Sequence, residues 1–291
     1  MLLRVGTRGS KLSLVQTDIV LDQLKRKDPK LVVERKIIKT RGDEDQRTPI
    51  FSMDRKGIFE KEIDQAILER KIDVAVHSLK DVPVFEGDTK LVIASVPQRG
   101  SPSNALVSKN GERLRELKGG SRVGTSSLLR VAQLKRVRPD LQAVPIRGNV
   151  DTRVQKVEEG EFDAVILAEA GLLRLGLTGR IAERLSLDDF MPAPGQGILA
   201  LIARQDNRKV LELLRSIEDS PSRAQADAER ELVNALGEAA KSPLEHSRPQ
   251  TETVFTSQDA YCRTTERQSS KRKSPGISRK LRGLVEKWLK S

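Results

Sequence analysis

VGTRGSKLSLVQ, at residues 5–16, joins a short apolar run to an amphipathic segment through a Gly-Thr turn that ends in serine. The stretch VGTSSLLRVAQL, at residues 123–134, repeats this order. In both places the pattern predicts a β-strand, a tight turn and an α-helix. Two similar α/β domains facing each other would bring both turns to one cleft, so the repeat favours two related domains around a ligand site.

The rest of the chain up to residue 217 alternates between short apolar runs and longer helical segments. Strands are predicted at 2–6, 31–40, 72–79, 90–97, 105–109, 141–147, 163–169 and 197–204. Helices are predicted at 10–27, 59–70, 127–137, 150–159 and 207–217. This alternation, with strands of a few residues each, predicts open α/β sheets.

Two breaks and one long helix divide the chain further. Pro, Gly and Ser are concentrated at 96–104 and 191–197, where we expect the chain to pass between domains. A helix is predicted over 220–236 because Ser220 followed by Pro221 is a typical helix start. One face of this helix is formed by Ala224, Ala228, Leu232 and Leu236.

The composition of the 291-residue chain excludes several classes of protein. No apolar run is long enough to span a bilayer and the N-terminus has no hydrophobic signal-peptide region, so the cytoplasm is the expected location. The one cysteine, Cys262, excludes an internal disulfide framework and a cysteine-rich metal site. Because the two histidines are far apart in the sequence, no metal site is expected.

The formal net charge of +12 first indicates a nucleic-acid partner. Its distribution argues against one. Residues 238–291 hold 12 Lys and Arg against 6 Asp and Glu, which is about half of the excess. The arginines of the remaining chain lie in separate turns instead of along one stripe.

Three predicted strand-to-helix turns carry these arginines, namely Arg8, Arg130, and the pair Arg147 and Arg153. A helix N-terminus has free N–H groups and a positive dipole end, and arginine adds a bidentate donor for carboxylate or phosphate. Surface charge and helix capping are the alternative explanation for any one such turn. Three turns of the same design favour a polyanionic ligand. Because no Walker loop or GxGxxG motif accompanies them, a polycarboxylate is favoured over a nucleotide.

VAVHSLKDVP, at residues 74–83, predicts a buried strand that carries polar side chains to its C-terminal end. Open α/β sheets bind their ligands at this end. Asp81, beside Lys80 and near several arginines, is expected to stay ionised, able to stabilise a developing cation or to transfer a proton. A turn aspartate with a solvated lysine is the alternative. For His77 we expect a hydrogen-bonded position in the core.

Several long motifs of this sequence occur in the same order and with the same spacing as in one known protein family. These motifs are GTRGSKLSLVQ, KGIFEKEID, VAVHSLKDVP, VGTSSLLR, PIRGNVDTR, DAVILAEAGLLRLGL and PAPGQG. In these motifs residues 1–237 resemble the hydroxymethylbilane synthases, also called porphobilinogen deaminases. The resemblance implies two α/β domains like those of type II periplasmic binding proteins around a cleft, with a third α/β domain. It places the first domain at 1–96 and 196–215, the second at 99–190 and a degenerate third at 217–291.

The resemblance also implies an activity. Members of this family are transferases of porphyrin, tetrapyrrole and heme biosynthesis, which condense four porphobilinogen molecules into hydroxymethylbilane and release ammonia each time. The product grows on a dipyrromethane cofactor that a thioether links to a cysteine of the third domain. The expected partner is therefore the small molecule porphobilinogen, and the expected protein is a monomer without nucleic-acid or membrane partners.

Site residues follow from the same resemblance. Asp81 matches the catalytic carboxylate, which stabilises the pyrrole nitrogens and the cationic azafulvene formed as ammonia leaves. The residues expected to line the site with it are Lys56, Phe59, Ser78 and Lys80. The residues expected to hold the acetate and propionate groups are Arg8, Ser10, Thr125, Ser127, Arg130, Arg147, Arg153 and Arg174.

Two departures from the family pattern concern the cofactor. Leu129 stands where the family has the first of two consecutive arginines, which removes one anchor. Ala240 stands where the family has the attachment cysteine, and alanine cannot form the thioether. Cys262 lies 22 residues further on, without the family's surrounding motif. We therefore expect impaired turnover; the alternative function is a non-catalytic anion-binding protein that uses the same cleft.

A reading frame shifted near codon 237 would explain why the sequence becomes polar, basic and aperiodic after this point. Codons exist for residues 237–244 that read Gly-Gly-Cys-Lys-Val-Pro-Leu in another frame, which restores the attachment motif. The stretch TTERQSSKRKSPGISRK, at 264–280, has a composition typical of disorder. The alternative is a functional basic amphipathic helix, suited to membrane or nucleic acid, with one face formed by Leu281, Leu284, Val285 and Trp288.

Overall fold

A computed structural model of the protein describes residues 1–40, 61–83 and 90–240, and describes side chains as far as residue 235. The chain divides into two compact units, Met1–Arg223 and Ala224–Ser291. Predictions made for Lys56, Phe59, Cys262 and everything beyond residue 240 lie outside the described residues, as does the side chain of Ala240.

The described residues form short strands and helices that follow the predicted alternation. The strands are β1 Leu2–Thr7, β2 Val32–Ile37, β3 Val74–Ser78, β4 Leu91–Ser95, β5 Asn104–Ser108, β6 Arg122–Gly124, β7 Gln142–Val144, β8 Ala164–Ala168, β9 Glu183–Arg184 and β10 Leu199–Arg204. The α-helices are α1 Lys11–Lys27, α2 Lys61–Leu68, α3 Leu128–Val137, α4 Val150–Glu158, α5 Glu169–Arg174, α6 Arg208–Arg215 and α7 Ser220–Ala240.

The first sheet has the strand order β2-β1-β3-β10-β4. β1 is parallel to β2 and β3, whereas β10 is antiparallel to both of its neighbours, β3 and β4. Apolar side chains of this sheet form a core with α1 and α6, whose members include Leu3, Val5, Val20, Leu24, Val76, Leu201, Val210 and Leu214. Because β1 and β3 are parallel, their C-terminal ends meet at one edge, where the turns carrying Arg8 and Asp81 begin.

The second sheet has the order β7-β6-β8-β5-β9 and the same mixture of directions. β6 is parallel to β7 and β8, whereas β5 is antiparallel to β8 and β9. Successive residues of a strand point to opposite faces. Accordingly, Leu106 and Ile166 belong to a core on one face, and Val107, Val165 and Leu167 belong to a core on the other. The predicted α/β fold class with two sheets is confirmed.

The repeated strand–turn–helix pattern of the sequence appears once in each sheet. Ser10 precedes α1, and its hydroxyl oxygen accepts a hydrogen bond from the Ser13 N–H at 3.3 Å. Ser127 precedes α3 and accepts in the same way from the Arg130 N–H at 3.5 Å. A serine at this position satisfies one of the free N–H groups of the first helical turn, so the two helices start at predicted residues for the predicted reason.

Helix α5 and the short strand β9 were not among the predicted elements. Residues 163–169 were predicted as one strand, but the structure ends β8 at Ala168 and begins α5 at Glu169. The apolar run continues through this boundary, so its periodicity does not separate a buried strand from the buried helix that follows it.

The chain crosses between the two sheets at both predicted Pro/Gly/Ser breaks. In the second crossing, Gly195 and Gly197 have φ angles of +76° and +87°, which glycine adopts without strain. A Cβ atom on Gly197 would lie 2.5 Å from the carbonyl oxygen of Ser101 in the first crossing. Glycine therefore allows the two crossing segments to pack backbone against backbone.

Helix α7 begins at Ser220 as predicted, but its capping residue and its C-terminal end differ from the prediction. The residue that caps it is Asp219, whose carboxylate accepts a hydrogen bond from the Ser222 N–H at 3.0 Å. At its other end the helix continues to Ala240 instead of ending at residue 236. Glu and Ala have high helix propensities, so Glu238, Ala239 and Ala240 favour this extension of the helix.

Candidate active site

The turn after β3 positions Lys80 and Asp81. Residues Leu79–Asp81 form one turn of 3₁₀ helix, and the buried side chain of Leu79 fixes this turn to the core. The Leu79 N–H donates to the carbonyl oxygen of Ile198 at 2.9 Å. A Cβ atom on Gly195 would lie 2.9 Å from the backbone nitrogen of Lys80, so a glycine is required where the second crossing passes this turn. Lys80 and Asp81 remain exposed.

A cavity of about 280 Å³ lies between the two sheets of the first unit. This volume is near the lower end of the range for small-molecule sites, about 300–1,000 Å³. The predicted site residues that line it from the first sheet are Arg8, Ser10, Ser78, Lys80 and Asp81. Those that line it from the second sheet are Arg130, Arg147, Arg153 and Arg174.

Thr125 and Ser127 were expected to hold ligand carboxylates, but neither is among the residues that line this cavity. Thr125 is buried, and its hydroxyl oxygen accepts from the Ser127 N–H at 3.3 Å. The hydroxyl of Ser127 caps α3. The structure thus gives both side chains a local role in shaping the turn, and their role in ligand binding stays a prediction.

Within the described part of the chain, Arg130 donates hydrogen bonds only to neutral acceptors. Its Nε donates to the side-chain oxygen of Asn104 at 2.9 Å. One terminal nitrogen donates to the carbonyl oxygen of Ile166 at 3.0 Å, and the other donates to the side-chain oxygen of Gln196 at 3.2 Å. These partners fix the guanidinium without cancelling its charge, so the charge remains available to an anion in the cavity.

Two further arginines of the cavity are held in the same way. Arg153 donates from Nε to the carbonyl oxygen of Gly148 at 2.8 Å. Arg174 donates to the carbonyl oxygen of Gly197 at 2.7 Å. Arginine side chains pair readily with carboxylates, and bonds to backbone oxygens leave them able to do so. Among the described residues, no carboxylate hydrogen-bonds to Arg130, Arg153 or Arg174, so these three guanidinium groups keep their positive charge in the cavity.

The enclosure of these cations shifts their pKa values. The pKa of Lys80 is lowered to about 8, chiefly by partial removal from bulk water and also by the charges of nearby arginines, whereas Asp81 acts to raise it. The side chain of Lys80 nevertheless keeps contact with solvent. Burial lowers the pKa of Arg130 and of Arg174 to about 10. Burial and the charge of Arg147 also lower the pKa of Arg153. Arg130 and Arg174 therefore stay protonated at neutral pH.

Asp81 is the one carboxylate that lines the cavity within the described part of the chain. Its charge acts on cations from both sheets, because it raises the pKa of Lys80 on the first sheet and of Arg130 and Arg153 on the second. A single carboxylate surrounded by fixed cations can stabilise a positive charge that develops on a ligand whose own carboxylates pair with the arginines.

The structure adds two site residues that the sequence reasoning did not single out for binding. Gln16 of α1 lines the cavity and donates a hydrogen bond to the Ser78 hydroxyl at 2.9 Å. His77 also lines it and is buried, which together with the charge of Arg8 lowers its pKa to about 4. Its Nε2 has no hydrogen-bond partner within the described residues, so the expected hydrogen-bonded position is wrong for this atom. Gln16 lies one turn before Val20 on the buried face of α1. A polar residue on an otherwise apolar helix face is the sequence feature that could have identified it as a site residue.

No helix in the described residues is both long and apolar enough to cross a bilayer. No group of three or more His, Cys, Asp or Glu side chains lies close enough together there to hold a metal ion.

Fold and site together define an α/β protein whose two sheets enclose a cationic cleft suited to a polyanion. The sequence model of a family described as "porphobilinogen deaminase, dipyromethane cofactor binding domain" matches residues 3–212. The chain belongs to this porphobilinogen deaminase family, so the predicted resemblance is confirmed.

Named relatives match over most of the chain. A probable porphobilinogen deaminase of Nitrosopumilus maritimus is 47% identical over 82% of this chain and 76% of its own length. The porphobilinogen deaminase of Desulforudis audaxviator is 48% identical over 82% of this chain and 77% of its own length. A solved nutrient-binding protein of Burkholderia cenocepacia, bound to methionine, is 13% identical with a TM-score of 0.44, over 73% of this chain and 89% of that chain.

Proposed function

We propose that this chain is a hydroxymethylbilane synthase, a transferase that condenses porphobilinogen with release of ammonia, and that its C-terminal sequence impairs it. The observation that carries the proposal is the position of Asp81 in a cavity whose arginines keep their charge. Porphobilinogen carries an acetate and a propionate group, and each can pair with a fixed guanidinium.

The described residues fit the dipyrromethane cofactor as a polycarboxylate. Held at its side chains by Arg8, Arg130, Arg147, Arg153 and Arg174, it would supply the pyrrole end on which the product is built. Ser10, Ser78 and Lys80 complete the proposed set on the first sheet. Lys56, which belongs to the proposed set through the family resemblance, lies outside the described residues.

Asp81 has the proposed catalytic role. As ammonia leaves a porphobilinogen molecule, positive charge develops on the pyrrole, and a fixed carboxylate lowers the energy of that charge. The ligand's carboxylates neutralise the arginines, so the field of Asp81 acts on the pyrrole.

Covalent attachment is where this chain departs from the family pattern. Ala240 has no sulfur, so the cofactor has no thioether at the expected position. We propose that the cleft binds pyrrole carboxylates without holding them covalently. The proposed domains are a first domain at 1–96 and 196–215, a second at 99–190 and a third at 217–291. The cytoplasm and a monomeric state remain expectations from the sequence.

Repair of the reading frame at codon 237 tests this function. The gene is altered to encode Gly-Gly-Cys at this place and its continuation in that frame, and both proteins are expressed in a host that makes porphobilinogen. We expect mass spectrometry to find a covalent adduct of two pyrrole units on the repaired protein only, together with ammonia release. A folded repaired protein with neither property would contradict the proposal and favour the non-catalytic anion-binding protein.

A further inference from the structure

Gln196 is a fully buried polar residue in the second crossing between the sheets. Its side-chain nitrogen donates to the carbonyl oxygens of Pro102 and Ser103 at 2.6 and 3.2 Å, and to the side-chain oxygen of Asn104 at 3.2 Å. All three acceptors belong to the end of the first crossing and the start of β5. Its side-chain oxygen accepts from Arg130 at 3.2 Å. One side chain thus joins both crossings to a cation of the cavity.

Asn104 completes this arrangement from the other crossing. Its side-chain oxygen accepts from Arg130 Nε at 2.9 Å, and its side-chain nitrogen donates to the carbonyl oxygen of Phe190 at 3.1 Å. Asn104 is also almost fully buried. Buried amides with partners at both ends have fixed orientations, since a flipped amide would face donor with donor. Arg130 is therefore oriented by two amides that the fold itself locks.

The neutrality of these two amides has a consequence for the ligand. A carboxylate at either position would form an ion pair with Arg130 and compete with a ligand carboxylate for it. A neutral amide fixes the guanidinium and leaves its positive charge available to a ligand carboxylate. Arg130 lies in the chain directly after Leu129, where the family pattern has another arginine, so its orientation matters more here.

We propose that Gln196, together with Asn104, is a positioning residue that orients Arg130 toward a ligand carboxylate and makes anion binding depend on how the two crossings pack. The ligand's identity rests on the proposed function. The positioning itself does not, because the hydrogen bonds exist without a ligand.

The test compares two substitutions of Gln196 with a matched control. Gln196→Glu keeps the size but adds a charge that pairs with Arg130, and Gln196→Leu removes the acceptor. The control is Gln133→Glu on α3, because Gln133 is also buried and donates to a backbone carbonyl, that of Met191, at 3.2 Å. Calorimetry with porphobilinogen at low ionic strength is expected to show binding weakened by about 10- to 100-fold for Gln196→Glu, from the loss of one charged hydrogen bond, and little changed for the control.

A second measurement needs no ligand. The terminal N–H signals of the Arg130 guanidinium in ¹⁵N NMR are expected to exchange slowly with water in the unmodified protein and faster in Gln196→Leu, because one of these nitrogens donates to Gln196. Unchanged exchange in folded Gln196→Leu, or Gln196→Glu that binds porphobilinogen as the unmodified protein does, would overturn the proposal. If the unmodified protein does not bind porphobilinogen at all, the proposed function fails, and the NMR measurement still decides the positioning.

Discussion

Replacement of Asp81 by asparagine removes the one carboxylate that lines the described cavity and keeps nearly the same shape. Asp81 raises the pKa of Lys80, so its loss should lower that pKa below its present value of about 8. Two unit charges about 6 Å apart, a typical separation for neighbours in a turn, interact by about 0.7 kcal/mol in water and about 2.8 kcal/mol at an effective dielectric constant of about 20. Because Lys80 keeps contact with solvent, the result lies between these limits, roughly 0.5 to 2 pKa units.

The pKa of Lys80 is measurable in this chain whether or not it turns over. The rate of amine modification at Lys80, followed by peptide mass spectrometry across pH 6 to 10, rises with the neutral fraction of the amine. We expect the midpoint of this curve to move to lower pH in Asp81→Asn. Asp151→Asn is the matched control, because Asp151 pairs instead with Lys11 at 3.1 Å. A midpoint that stays in place or moves upward in Asp81→Asn would refute the assignment of Asp81 as the charge that opposes the cations of the cleft.

Two further predictions concern the same turn. Porphobilinogen binding should weaken as pH rises through about 8, because Lys80 is charged below its pKa and neutral above it. In Lys80→Met, calorimetry should find weaker binding at pH 7 and an affinity that changes less with pH around pH 8. Gly195→Ala should lower the free energy of unfolding by about 1–3 kcal/mol, because the residue has a positive φ and its Cβ would lie 2.9 Å from the backbone nitrogen of Lys80. Urea denaturation measures this, with Gly179→Ala as the control, since a Cβ there meets nothing within 4 Å; equal stability of the two variants would contradict the prediction.

Local sequence was sufficient for most secondary-structure elements and for the turns that carry the site. Ser10 and Ser127 cap helices as predicted, because a cap depends on residues three apart in the chain. The motif around Asp81 predicted a strand end with a carboxylate, and the structure places it there. The end of α7 was predicted less well, because the predicted apolar face ends at Leu236, whereas Glu238 and the following alanines favour continuation of the helix.

The partners that fix the cations came only from the tertiary structure. Arg130 and Gln196 are 66 residues apart and meet because two crossings pack together, which no periodicity records. The same holds for Gln16 and Ser78, which are 62 residues apart. Thr125 and Ser127 were expected to bind ligand because they occur in the motif, and only the structure shows that their hydroxyls also accept hydrogen bonds from the backbone of the turn. Sequence alone thus determined which residues carry charge to the cleft, because charge and local turns are properties of short segments. Only the packing of distant segments decided which of those charges stay unneutralised, because hydrogen-bond partners are chosen by proximity in space.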